Sequence, residues 1–252
     1  MKKAVIFRVM ALVCFSLTAG ATLEFPGIRY AGYTTNAVPQ GFSILAVPFS
    51  GFNTNSFAST NLSLAALIST NGLAINDRLI AFDEGTTNYY YYALTGSGWT
   101  PLQVTQIGSD VTNQIKVVEG PALSELTRAQ GYAFWLQTQS ATTAYIQGVV
   151  KTNDTEVTIA ANAYTLVGNA LPSPLDLNST SFTNANPWFA TYNPVTGLAD
   201  EIHVVSGTNY VRNVFISRQW KKNSGSALSD PVPAGAGVWF LRRGDSQTLK
   251  LK

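Results

Sequence analysis

The chain is written twice, and no other feature constrains its fold as strongly. Ala122-Leu123-Ser124-Glu125, followed by Ala129 through Leu136, recurs as Ala227-Leu228-Ser229-Asp230, followed by Ala234 through Leu241, and the two stretches align without a gap. Upstream, Gly41 through Pro48 answers Ala163 through Ala170. Opening and closing motifs lie farther apart in the first copy, which carries an additional stretch at roughly Pro101 to Gly120. A duplication of this length predicts two similar structural units, near residues 30–150 and 156–252. Each is large enough to bury its own core. The polar seam Lys151-Thr152-Asn153-Asp154 is too short a linker for independent swinging, so the units are expected to pack together.

Alternating polar and apolar residues predict strands at 42–47, 78–82, 88–94, 114–118, 132–136 and 144–150, and again at 164–167, 201–205, 210–216, 237–241 and 247–251. Turn chemistry separates them, for example Thr95-Gly96-Ser97-Gly98, Asn193-Pro194 and Arg243-Gly244-Asp245. Short strands at this spacing, without long helices between them, predict an all-β fold of antiparallel sandwich or partly closed barrel units. One helix is expected, with Leu62, Ala65, Ala66 and Ile68 on its apolar face, Thr60 or Asn61 as its cap and Gly72 at its end. Pro172 and Pro174 occupy the equivalent place in the second copy, so a helix there should be shorter. Pro121, Pro231 and Pro233 predict extended loops.

The first 21 residues read as a secretory signal peptide: Lys2, Lys3 and Arg8, then an apolar run from Val9 to Leu17, then Ala19-Gly20-Ala21. That run is too short to cross a bilayer as a stable helix. Val13 before Cys14 argues against a lipid anchor. The whole chain has 16 basic and 14 acidic residues and a formal charge of +2; without Lys2, Lys3 and Arg8 the balance becomes 13 against 14, or −1. A nucleic-acid partner then has no electrostatic support. Cys14, the sole cysteine, leaves with the leader, and the one histidine argues against a zinc site, so no cofactor or metal is expected. No other apolar run is long enough to span a membrane, and periplasmic, cell-surface or extracellular residence is expected.

Leu166-Val167-Gly168-Asn169-Ala170-Leu171-Pro172-Ser173-Pro174-Leu175-Asp176 resembles the "W-N-L-I-G-N-P-Y-P-S-P-I-D" opening of a β module of exported and cell-surface bacterial proteins. That module continues with a Tyr- and Trp-rich strand pair and closes on "P-x-G-x-G-F-W", matched by Pro233-Ala234-Gly235-Ala236-Gly237-Val238-Trp239. The first copy departs from it, with Leu45-Ala46-Val47-Pro48 in place of the Gly-Asn pair and no closing proline. The resemblance implies a structural or adhesive surface module and carries over no catalytic residue. Relatives with this pattern often bear a C-terminal sorting tail, which is not expected after Lys252.

Candidate chemistry is sparse. His203 shares a strand face with Glu201, and Ser206 lies three residues on and faces the other side, so a Ser-His-acid arrangement is conceivable, but it lacks a nucleophile elbow and an ordinary strand-face histidine is expected. Asp83-Glu84 and Asp200-Glu201 are adjacent carboxylates, but strand neighbours point to opposite faces and do not make a facing dyad. The aromatics are more informative. Tyr89-Tyr90-Tyr91-Tyr92 crosses a glycine turn to Trp99, and Tyr210, Phe215 and Trp220 follow in the second copy. If one strand face is core, Tyr90 and Tyr92 stand near solvent with Trp99 as a ligand-binding platform. The alternative is that Trp99 covers the open side and the rings form a cross-strand cluster. The expected function is a non-enzymatic structural or adhesive module that holds an envelope protein or a glycan. The competing reading is a glycan-binding appendage or carbohydrate-active hydrolase.

Overall fold

The structure, a computed structural model, describes residues 31–49, 51–53, 58–84, 88–102, 120–149, 155–206, 209–222, 225, 226, 228 and 230–251. The leader, the strand expected at 114–118, most of the additional stretch and the seam at 151–154 lie outside the described residues.

Strands dominate. The first half holds β1 (Ala31–Val38), β2 (Gly41–Ala46), β3 (Gly51–Asn53), β4 (Ala58–Thr60), β5 (Leu62–Ser63), α1 (Leu64–Leu67), β6 (Arg78–Asp83), β7 (Asn88–Thr95), β8 (Gly98–Pro101), β9 (Thr127–Arg128), β10 (Ala133–Thr138) and β11 (Thr142–Val149). The second holds β12 (Thr155–Ile159), β13 (Tyr164–Gly168), α2 (Thr180–Ala185), β14 (Glu201–Ser206), β15 (Asn209–Ile216), β16 (Gln219–Lys222), β17 (Gly237–Leu241) and β18 (Gln247–Leu251). Two open five-stranded antiparallel sheets have the same strand order, β2-β10-β6-β7-β8 and β13-β17-β14-β15-β16. Each has its own two-stranded ribbon, β1-β11 for the first and β12-β18 for the second. No described helix is long and apolar enough to cross a membrane.

Period-2 alternation decides what each sheet face meets. In the first half, Leu79 and Ala81 of β6 point toward the ribbon and α1, joining Leu45, Tyr92, Phe134, Leu136, Ala144 and Ile146 in one core. Ile80 and Phe82, their neighbours on the same strand, point the other way and join Ile44, Trp135, Leu166 and Trp239 in a core shared by the two sheets. Val157, Ile159, Phe182, Ile202, Phe240, Leu249 and Leu251 fill the second half's own core. The layers therefore run ribbon, sheet, sheet, ribbon, and each sheet is covered on both faces near the middle.

Two helix expectations are corrected. The first helix is a single turn whose buried residues are Leu64 and Leu67, with the Ser63 hydroxyl as cap, accepting from the Ala66 N–H at 3.3 Å. Strand pairing takes its flanks: Leu62 and Ser63 pair with Arg128 and Thr127, and Ile68 bridges Ile146. The second helix is the longer one, because it starts after the prolines, at Thr180, with the Ser179 hydroxyl accepting from the Phe182 N–H at 3.3 Å.

Register also adjusts the gapless match. Trp135 lies opposite Ile44 and Ile80, and Trp239 lies opposite Leu166 and His203, so these two tryptophans are equivalent by position. The gapless alignment instead sets Phe134 against Trp239, and a slip of one residue exchanges the two faces of a strand. The missing residue falls between Leu228 and Gly235. Leu123 and Leu228 are buried in their respective cores, as the alignment has them.

Candidate functional site

Of the expected platform of Tyr90, Tyr92 and Trp99, Tyr92 is withdrawn from solvent and the other two are only partly exposed. Tyr92 is fully buried, its hydroxyl donates to the Pro121 carbonyl at 2.8 Å, and burial pushes its phenol up to about 12. Tyr90 packs half-buried against the same core and donates to Asp83 Oδ2 at 3.4 Å. Trp99 packs there too, with its buried indole Nε1 lacking a hydrogen-bond partner. The other two tyrosines, Tyr89 and Tyr91, border the shared core. Tyr89 stacks on Trp135 with ring centroids 5.7 Å apart and tilts against Phe82 at 5.0 Å.

Tyr89 and Tyr91 lead to a tyrosine surface that crosses from one sheet to the other. Burial first, and then the neighbouring phenols of Tyr91, Tyr210 and Tyr164, raise the Tyr89 hydroxyl above its ordinary value. Tyr164, from β13, and Tyr210, from β15, are 42% and 49% exposed. Tyr164 meets Trp239 edge-on at 5.8 Å and His203 edge-on at 5.6 Å. Strand positions fix this grouping: Tyr89 lies opposite Phe82, and Tyr210 lies opposite Val205, each on the face that looks across to the other sheet.

Beside these rings is a charged network. Glu201 accepts from Arg212 Nε and Nη2, each at 2.7 Å, from Arg243 Nη2 at 3.1 Å, and pairs with His203 Nε2 at 3.0 Å. The Arg212 hydrogen bonds, followed by those of His203 and Arg243, outweigh burial and hold the carboxyl down at about 2. A carboxylate bound so completely does not serve as a base near neutral pH. Asp200 is buried and equally occupied, by Arg242 Nη1 at 2.7 Å, the Ala190 N–H at 2.8 Å and the Arg243 N–H at 2.8 Å. Asp77 performs the same pinning in the first half, accepting from the Ala74 and Gln139 N–H groups at 2.8 Å each. Glu84 pairs with Arg128 at 2.9 Å, while burial raises its carboxyl against that attraction. Among the described residues no three His, Cys, Asp or Glu side chains gather to hold a metal.

The two sheets join reciprocally. The Ala46 N–H donates to the Gly235 carbonyl at 2.7 Å, and the Gly168 N–H donates to the Gly131 carbonyl at 2.7 Å. Leu45 bridges Ala236, and Tyr132 bridges Val167. Gly131 and Gly235 both occupy the left-handed region, at φ 90° and 76°. A Cβ on Gly168 would lie 2.5 Å from the Tyr132 carbonyl oxygen and 2.6 Å from Ala46 Cα. One on Gly237 would lie 2.4 Å from Ile44 Cγ2 and 2.9 Å from Ala133 Cβ. The glycines of the sequence motifs are thus the residues that let the halves touch. On one side of this join is an open cleft of about 520 Å3, lined among others by Asn36, Ile44, Leu45, Val205, Pro233 and Ala236. No family model matches the chain, and no curated protein or solved structure matches it.

Proposed function

We propose that this protein is an exported, non-enzymatic adhesive module, made of two copies of one β unit, that holds an envelope component on the tyrosine surface crossing its two sheets. The observation that carries the reading is the convergence of Tyr89, Tyr91, Tyr164 and Tyr210 from three strands of both sheets, with Tyr164 and Tyr210 close to half exposed. Phenol rings present flat apolar area and a polar tip at low entropic cost, which suits stacking against a sugar or a protein surface. The arginines around Glu201 supply hydrogen-bond donors at the border. Asp200 and Glu201, the adjacent carboxylates of the second half, are engaged by cations and backbone amides, which favours holding over cleaving.

The test compares the protein without its leader to a Tyr164→Ser/Tyr210→Ser variant, using capture from envelope material beside a glycan array. Both positions are exposed enough that the substitutions should leave the unfolding midpoint nearly unchanged. Capture should fall at least tenfold in the variant. Undiminished capture, or turnover of an arrayed glycan, would overturn the reading.

A further inference from the structure

The reciprocal join has one large departure from symmetry, at Tyr132 and Ala236. Both residues precede the closing strand of their half, follow a left-handed glycine and bridge the opening strand of the other half. The Tyr132 ring lies against the second half's core, and its hydroxyl donates to the Thr158 carbonyl of β12 at 3.4 Å. Ala236 has no ring, and the open cleft lies at its side of the join.

The glycines match the surroundings of the two sites. A Cβ on Gly131 would strike Val157 Cγ2 at 2.5 Å, and one on Gly235 would strike Asn36 Oδ1 at 2.3 Å, so Asn36 occupies on β1 the place of Val157 on β12. The next residue along each strand is Ala37 and Thr158. By this correspondence the cleft lies where a Tyr132-like ring would sit, with Leu45 in place of Val167 and Ala37 in place of Thr158. It differs in one respect: Asn36 supplies a buried Nδ2 that has no hydrogen-bond partner, where Val157 supplies a methyl.

We infer that this cleft is a receptor for a tyrosine side chain presented by a partner polypeptide, a function separate from that of the exposed tyrosine surface. The ring would fill the apolar floor that Ala236 leaves uncovered. The phenol oxygen would accept from Asn36 Nδ2, and its proton would go to the Ala37 carbonyl as that of Tyr132 goes to Thr158. A volume of about 520 Å3 holds such a ring together with its flanking backbone. The site is continuous with the join between the sheets, which already accepts a tyrosine of this geometry on its other side.

The probe is N-acetyl-tyrosinamide, titrated into the protein without its leader and followed by amide shifts of Asn36, Leu45 and Gly235. A ligand of that size should saturate on the order of millimolar. N-acetyl-phenylalaninamide should bind at least fivefold more weakly, because it leaves both the Asn36 amide and the Ala37 carbonyl unpaired. Ala236→Tyr, which supplies the absent ring from within, should abolish the titration. Asn36→Val, which recreates the Val157 side, should keep binding and shrink the preference for tyrosine over phenylalanine to the part that the Ala37 carbonyl supplies, and it tests the site even if Ala236→Tyr does not fold. Absence of saturable shifts, equal affinity for the two probes in the unsubstituted protein, or a tyrosine preference undiminished by Asn36→Val would overturn the assignment. None of these outcomes touches capture by the Tyr164 and Tyr210 surface.

Discussion

Adding one methyl group to Gly168 should separate the two sheets. The new Cβ of Gly168→Ala would lie 2.5 Å from the Tyr132 carbonyl oxygen and 2.6 Å from both Ala46 Cα and Ala46 Cβ. Two of these three atoms are main chain, so no rotamer change relieves the contact. Ordinary van der Waals separation needs about 1 Å more, which only movement of one sheet against the other can provide. Overpacking of this kind costs about 1–3 kcal/mol, and a main-chain obstacle belongs at the upper end. The same movement stretches the 2.7 Å bond from the Gly168 N–H to the Gly131 carbonyl, which contributes about 1 kcal/mol. A loss of about 3–4 kcal/mol lowers the melting temperature by roughly 6–16 °C at this chain length. Gly237→Ala should cost less, because its main-chain obstacle, the Val167 carbonyl oxygen, is farther away at 3.0 Å, and the nearer contacts are the Ile44 Cγ2 methyl at 2.4 Å and Ala133 Cβ at 2.9 Å. Gly96→Ala has nothing within 4 Å and serves as the control. Calorimetric melting of the three variants gives the order directly. A Gly168→Ala protein that melts within a degree of the Gly96→Ala control would refute the account of the join.

Tyr92→Ser should cost about 3–5 kcal/mol in urea denaturation by opening a cavity, whereas Tyr92→Phe, which removes only the Pro121 bond, should cost about 1 kcal/mol. Glu201 is held down at about 2 from an ordinary 4.5, so its carboxylate is favoured in the folded state; the stability it contributes is complete above about pH 4.5 and disappears as the pH falls toward 2. Because Arg212 and Arg243 reach it from part-exposed positions, that contribution should be about 1–2 kcal/mol, and Glu201→Gln should flatten this part of the pH-stability curve. Asp200→Asn strands the buried Arg242 and should cost about 3–5 kcal/mol. Asp77→Asn, which touches only two backbone amides through its side chain, should cost about 1–2 kcal/mol by the same measurement.

The central strands were readable because their alternation is strong: Leu79, Ile80, Ala81 and Phe82, or Gly237 through Leu241, admit few other readings. β1 and β12 were missed for a physical reason. Ala31 through Val38 is built of small and polar residues, and Thr155 through Ile159 follows a polar stretch, so neither stands out although their pairing with β11 and β18 closes each core. The tyrosine run illustrates a deeper limit. Alternation assigns Tyr90 and Tyr92 to one face and Tyr89 and Tyr91 to the other, but only the packing reveals that the first faces the first half's own core and the second borders the core shared with the other sheet. Asp77 and Asp200 carried a signal that was available, an aspartate directly before the same strand in both halves. The tyrosine surface had none, since Tyr164 and Tyr210 lie far from the run in sequence and adjoin it only through the reciprocal join.

The adhesive surface is tested most directly by tyrosine nitration mapped by mass spectrometry, in the free protein and after saturation with captured envelope material. Tyr164 and Tyr210 should be nitrated in the free protein and protected once the partner is bound, while buried Tyr92 stays unmodified in both. Nitration of Tyr164 and Tyr210 at the same rate with and without bound partner would contradict the account.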